Sequence, residues 1–244
     1  MRPGLGLGLN NRRRAGGDPT DTLLAGLGAD HYYRTSDAVD GTTNPMPNRL
    51  GSGTLDPAAN VSLSAGEWVM SGDYGTYSAA PASAFNGGTG QTLITVATFP
   101  SGVTSGADVF YANKGGFVEQ GIILFCDKSA GGINVQAYVG DGVETAAYSG
   151  TGVVDTYDQK MIAGVRYDPV GDTIQTFIYS NGVLTLGGAA SLAAHGSCAS
   201  GFAGLAGRNI VASIGYVGRM SAPLINFPSH LDDSDLAVVG GAVT

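Results

Sequence analysis

Apolar and polar residues alternate with a period of two through the middle of the chain. In the run from Ile133 to Val139, Ile133, Val135, Ala137 and Val139 interleave with Asn134, Gln136 and Tyr138, the pattern of a strand with one packed and one wet face. The run from Thr173 to Ser180 repeats it, with Ile174, Thr176 and Ile178 set against Gln175, Phe177 and Tyr179. Further strands are expected at Gln91 to Phe99, Val109 to Asn113, Gly121 to Cys126, Glu144 to Tyr148, Lys160 to Tyr167, Phe202 to Gly207 and Gly215 to Ser221. Gly, Asn, Asp or Pro separate them, and short strands at such regular spacing predict a sandwich or barrel.

Gly140-Asp141-Gly142 is a strong hairpin turn between two of these strands, because glycine accepts the positive φ that such turns need. A second hairpin, Glu67 to Ser71 with Tyr74 to Ser78 around Gly72-Asp73, is expected to open the sandwich. Before it, His31 to Arg34 reads as a short strand and Asn44 to Gly53 as an irregular loop, where Pro45 and Pro47 exclude a central strand. One helix is predicted, Asp233 to Val239, with Asp232 and Asp235 as its N-cap and N3 residues and Gly240-Gly241 as its stop. Residues Met1 to Asp21 form an extended arm in which Leu5, Leu7 and Leu9 alternate with Gly4, Gly6 and Gly8, a segment that needs a partner surface. The division expected is an arm over 1–21 and a sandwich domain over 22–244, with 22–66 as its irregular leading part.

Forty glycines, ten prolines and 13% charged residues argue against long solvated helices. No apolar run is long enough to cross a bilayer, so a soluble protein without a membrane partner is expected. The formal net charge is −8, yet Arg2, Arg12, Arg13, Arg14, Arg34 and Arg49 are half of the 12 Lys and Arg residues and lie in the first fifty positions. An acidic body repels phosphates, so direct nucleic-acid binding is not expected. Cys126 and Cys198 lack metal-ligand spacing and read as buried thiols, with a bridge between them left open. The start has no continuous apolar signal core, which points to synthesis in the cytoplasm.

Catalytic groupings are absent from the pattern. Glu67, Glu119 and Glu144 fall in separate elements, and no strand carries acidic residues at i and i+2, so the paired carboxylates of a glycosidase are not visible. Gly196 to Gly201 lacks the strand and helix context of a nucleophile elbow, and His31, His195 and His230 are far apart. Asp232, Asp233 and Asp235 are better explained by helix capping than by calcium, and Asp141, Asp168 and Asp172 sit in turns, where Asp is ordinary. The expectation is a non-enzyme with no metal and no cofactor. Binding has better candidates: Asn134, Gln136, Tyr138, Gln175, Phe177 and Tyr179 offer the amides and aromatic rings that a glycan requires. A neighbouring subunit or a second core layer would use the same residues. Arg2, Arg12, Arg13 and Arg14, with Leu5, Leu7 and Leu9, suit an arm anchored on an acidic protein surface.

The stretch KMIAGVRYDPVGDTIQTFIYSNG (160–182) resembles the central signature of concanavalin A-like, laminin-G-like sandwiches, a strand ending in Tyr-Asp followed by one ending in Tyr-x-Asn-Gly. GYVGRMSAPLINFPSHLDDSDLAVV (215–239) resembles their closing pattern. The resemblance covers about Glu67 to Val239 and implies an all-β, two-sheet antiparallel jelly roll with a short C-terminal helix. The Glu-x-Asp-x-Glu strand of the family's glucanases is missing, and the calcium ligands of its lectins have no counterparts here, so neither property carries over. RPGLGLGLNNRRRAGG is similar to openings of bacteriophage virion proteins. That likeness implies a structural virion protein, a surface decoration or a fibre or adhesin module, anchored through its arm to capsid or tail proteins and homo-oligomeric. The alternative is a glycan-binding, lectin-like module that meets host surface glycans; a glycoside hydrolase or lyase ranks below both.

Overall fold

The computed structural model describes residues 18–38, 45–57, 61–73, 75–77, 88–102, 106–112, 120–193, 195, 198, 205–206 and 216–244. Its strands are β1 (His31–Tyr33), β2 (Met46–Pro47), β3 (Thr54–Pro57), β4 (Ser62–Ser64), β5 (Glu67–Asp73), β6 (Gly75–Tyr77), β7 (Gln91–Thr98), β8 (Gly106–Ala112) and β9 (Gly121–Ser129). There follow β10 (Gly132–Gly140), β11 (Thr145–Gly150), β12 (Lys160–Asp168), β13 (Thr173–Ser180), β14 (Val183–Leu186), β15 (Ala190–Ser191), β16 (Leu205–Ala206) and β17 (Tyr216–Phe227). Two helices, α1 (Pro19–Gly26) and α2 (Asp233–Val243), stand at either end of this series.

The strands form an antiparallel two-sheet jelly-roll sandwich. The first sheet runs β14-β13-β12-β7-β17-β5-β4, with β1 also on β17 and β15 on β13; the second runs β11-β10-β9-β8-β16-β6-β3-β2. Between them lies the main core, where Trp68, Phe99, Phe110, Val135, Val165, Ile178 and Leu224 are shut off from solvent. Each such side chain contributes about 1.5–3 kcal/mol of burial. One ion pair is sealed in this layer. Lys128 and Asp108 meet at 2.5 Å with side chains 2% and 4% exposed, and the lysine nitrogen stands 5.5 Å from the centre of the Phe99 ring.

A second apolar layer covers the outer face of the first sheet. Leu24 of α1 and Leu236 and Val239 of α2 pack there with Tyr32, Ile94, Ile162, Phe177 and Ile225. Helix α1 was not expected. Its amphipathic signal is only eight residues long, but Asp18 caps it by accepting from the Thr20 amide, and Pro19 occupies a first-turn position. The helix crosses the boundary drawn between residues 21 and 22. Acids of the helix, its cap and the turn at residues 35–37 engage arginines expected to make a basic front: Arg34 pairs with Asp18 and Asp37, and Arg49 with Asp21 and Asp37.

Three other expectations change. Glu67–Ser71 and Tyr74–Ser78 do not form a hairpin: β5 bonds to β4 and β17 in one sheet, β6 to β3 and β16 in the other. Gly72-Asp73 carries the chain between sheets because both edges of β5 are already taken. The strand expected to end at Ser221 continues to Phe227, and Pro223 is accommodated where the β17–β7 register shifts between Ala222 and Ile225. Helix α2 starts at its predicted cap, where Asp232 accepts from the Asp235 amide at 2.8 Å, but it runs on through Gly240 and Gly241. Gly240 is there for close approach, since a Cβ on it would lie 2.4 Å from the Tyr179 ring.

Candidate functional site

The β10–β11 hairpin builds the best-formed polar and aromatic surface among the described residues. Its turn is the predicted one: Asp141 accepts from the Val143 and Glu144 amides at 2.8 and 2.9 Å, and Gly142 takes φ of 94°. Ile133, Val135, Ala137 and Val139 fill the core, which turns Asn134, Gln136 and Tyr138 outward. Register then supplies their neighbours. Tyr138 faces Tyr148 on β11, Gln136 faces Gly150 on one side and Phe125 on the other, and Asn134 faces Asp127 on β9.

The result is a ladder of three rings across three strands. Phe125 and Tyr138 stack with centroids 5.4 Å apart and planes 13° apart, and Tyr138 and Tyr148 are 4.7 Å apart and tilted by 43°. Tyr148, at the sheet edge, is 45% exposed. It leans along its own strand over Gly150, where a Cβ would stand 2.9 Å from the phenol oxygen and 3.4 Å from Asn134 Oδ1. Beside the rings, Gln136 Nε2 donates to Asp127 Oδ2 at 2.5 Å, and Asn134 Oδ1 accepts from Thr151 Oγ1 at 3.4 Å. Burial raises the pKa of both tyrosines, Tyr138 further through Tyr148 and Asp127, so both phenols remain donors at neutral pH. Flat apolar rings next to a carboxylate and two amides can take a ligand that has both C–H faces and hydroxyl groups.

The other three expected residues lie elsewhere. Gln175, Phe177 and Tyr179 point outward from β13, in the opposite sheet, so the six residues do not form one face. Gln175 accepts from Arg166 Nη2 at 2.7 Å and donates to the Gly187 carbonyl at 2.8 Å. Phe177 is fully buried in the layer under the helices, and Tyr179 lies against Gly240 of α2. Arg166 secures that helix through Asp233 at 2.7 Å and the Leu231 carbonyl at 3.0 Å. These are packing residues because α2 covers the face that alternation alone marked as wet. The arm residues Arg2, Leu5, Leu7, Leu9, Arg12, Arg13 and Arg14 fall outside the described residues.

Phe125, Asp127 and Tyr148 belong to this candidate surface and are not among the residues expected from the sequence. Asp127 lies beyond the expected end of its strand at Cys126, and Tyr148 closes a run whose alternation is masked by two alanines. A cleft of about 510 Å³ lies on the first sheet, lined by Glu67, Val69, Thr98, Pro100, Asp158, Gly218 and Arg219. Its two acids have partners among the neighbouring residues. Glu67 faces Lys160 at 3.4 Å, and hydrogen bonds from Ser101 hold Asp158 below the usual carboxylate range.

Asp141, Glu144 and His195 are the described grouping close enough to hold a metal ion, with ligand atoms within 4.8 Å of one another. The imidazole Nδ1 is 3.3 Å from Asp141 and 3.6 Å from Glu144, so the ring can pair with either carboxylate without an ion. Cys126 and Cys198 are buried and form no disulfide. Burial raises the Cys126 thiol well above its ordinary pKa, with Asp108 adding to the effect.

No family model and no curated protein matches the chain. Solved structures do. The binding domain of botulinum neurotoxin serotype D superimposes with a TM-score of 0.57 at 11% identity over 87% of this chain and 51% of that one. The serotype C1 binding domain gives 0.56 at 10% over 91% and 53%, so the chain spans about half the length of these toxin domains. A legume lectin-like domain from Entamoeba histolytica gives 0.50 at 9% over 71% of this chain and 89% of that one. At such identities the likeness concerns architecture alone: the chain has the fold of a lectin-like β-sandwich.

Proposed function

We propose that the protein is a glycan-binding module whose contact surface is the outer face of the β9-β10-β11 sheet. The observation that carries this reading is the ring ladder Phe125-Tyr138-Tyr148, open to solvent at Tyr148 and flanked by Asn134, Gln136 and Asp127. A structural neighbour lends support, the legume lectin-like domain from Entamoeba histolytica. Rings receive the C–H face of a sugar, while the amides and the carboxylate receive its hydroxyls. A glycan array on the purified chain tests the proposal. Binding should fall about tenfold or more in Tyr148→Ala, the exposed anchor, at unchanged thermal stability. Uniform silence of the parent, or binding indifferent to Tyr148, refutes it.

We also propose a virion setting, supported by the likeness of Arg2 to Gly17 to openings of bacteriophage virion proteins. Deleting the first seventeen residues should leave the sandwich folded and abolish incorporation into particles. Retained incorporation removes the anchor.

A further inference from the structure

We infer that the ring-ladder surface selects neutral glycans and rejects those bearing a carboxylate or sulfate, an inference that rests on the glycan-binding reading above. The argument is one of local charge. The outward positions of the three strands hold Phe125, Asp127, Asn134, Gln136, Tyr138, Tyr148 and Gly150, among which Asp127 carries the charge. Asp127 is exposed, and Gln136 holds one of its oxygens at the edge of the rings. Asp141 stands at the turn of the same hairpin, three residues on from Tyr138, a run of about 10 Å along a strand, and Glu144 faces it across the turn. The rings therefore lie between carboxylates at both ends.

Among the described residues no lysine or arginine offsets them; His195 lies 3.3 Å from Asp141 and 3.6 Å from Glu144 and counters that end of the hairpin when protonated, while Asp127 has no such neighbour among the described ion pairs. Lys128 is the lysine of these strands, but it points into the core with its side chain 2% exposed and is spent on Asp108. Arg34 and Arg49 bind the acids of the α1 region, Lys160 faces Glu67, and Arg166 faces Asp233, all on the first sheet or its helices. Arg219 lines the cleft of the first sheet. The carboxylates lie within about one Debye length of the rings at moderate salt, so an anionic sugar meets repulsion that its neutral counterpart does not. The Asp127 carboxylate accepts hydrogen bonds, which matches sugar hydroxyls and opposes a second carboxylate.

The test uses the full chain on an array of neutral oligosaccharides, each printed beside its sialylated and its sulfated form, at low and at high salt. Neutral members should bind, with charged counterparts roughly tenfold weaker at low salt and the gap narrowing as salt rises. Glu144→Gln, remote from the rings, should narrow the gap without changing neutral binding; Asp127→Asn should narrow it further while weakening neutral binding. Charged forms that bind as well as or better than neutral ones at low salt overturn the selectivity and leave glycan binding standing. A gap unmoved by salt and by both substitutions also overturns it, whereas silence toward every glycan brings down the underlying reading as well.

Discussion

The sealed Lys128–Asp108 pair offers the sharpest check on the sandwich interior. At 2.5 Å and an effective dielectric of 20, the attraction is about 7 kcal/mol, while removing each ion from water costs several kcal/mol, so the pair comes out near neutral. Breaking it is another matter. Lys128→Met keeps the length of the stem but leaves the Asp108 carboxylate, 4% exposed, without its cation, at a cost of about 3–5 kcal/mol. For a chain of this size that is a fall in Tm of roughly 6–20 °C. Urea denaturation of the parent, of Lys128→Met, of Asp108→Val and of the double variant closes a thermodynamic cycle. The double variant should recover to within about 2 kcal/mol of the parent, because both desolvation penalties vanish together. A single-variant loss below about 1 kcal/mol, or a double variant whose loss is the sum of the singles, refutes the placement of this pair in a dry core.

Three further outcomes are expected. Gly150→Ala pushes on the movable tip of Tyr148, so stability should change by no more than about 1 kcal/mol while glycan binding on the array drops with the displaced ring. Gly240→Ala gains about 1 kcal/mol of helix propensity but drives a methyl into the Tyr179 ring at a cost of about 1–3 kcal/mol, so calorimetry should show net destabilisation; a rise in Tm contradicts the packing of α2 on β13. Burial holds the His230 pKa below its ordinary 6.5, with Arg166 adding repulsion. A depressed folded value means stability that is present above about pH 6.5 and lost as pH falls through the folded pKa. Urea midpoints should therefore decline between pH 7 and pH 5 and decline less in His230→Gln; a flat parent profile over that interval refutes the assignment.

Strand order within hairpins was legible because it is local. Thr173 to Ser180 has the bounds read from its alternation, and Gly140-Asp141-Gly142 makes the turn that its glycines allow. What was not legible is set by distant contacts. Alternation says that Phe177 and Tyr138 leave the core on the outward side, but not that α2 covers the first and leaves the second half-open. Tyr148 joins Tyr138 only through register, and the turn dipeptide Gly72-Asp73 spans two sheets because β17 claims the edge of β5. Helix α1 escaped notice because its one fully buried leucine, Leu24, finds its partners on sheet residues far along the chain.

Strand β17 bonds to β1, β5 and β7, so residues 31–33, 67–73 and 92–98 all wait for a segment synthesised near residue 220. A ribosome-bound chain that has not yet emitted Tyr216 therefore displays several apolar strands with unsatisfied flanks. Completion of the first sheet therefore waits for β17, and depends on holding aggregation at bay until that strand threads between its neighbours.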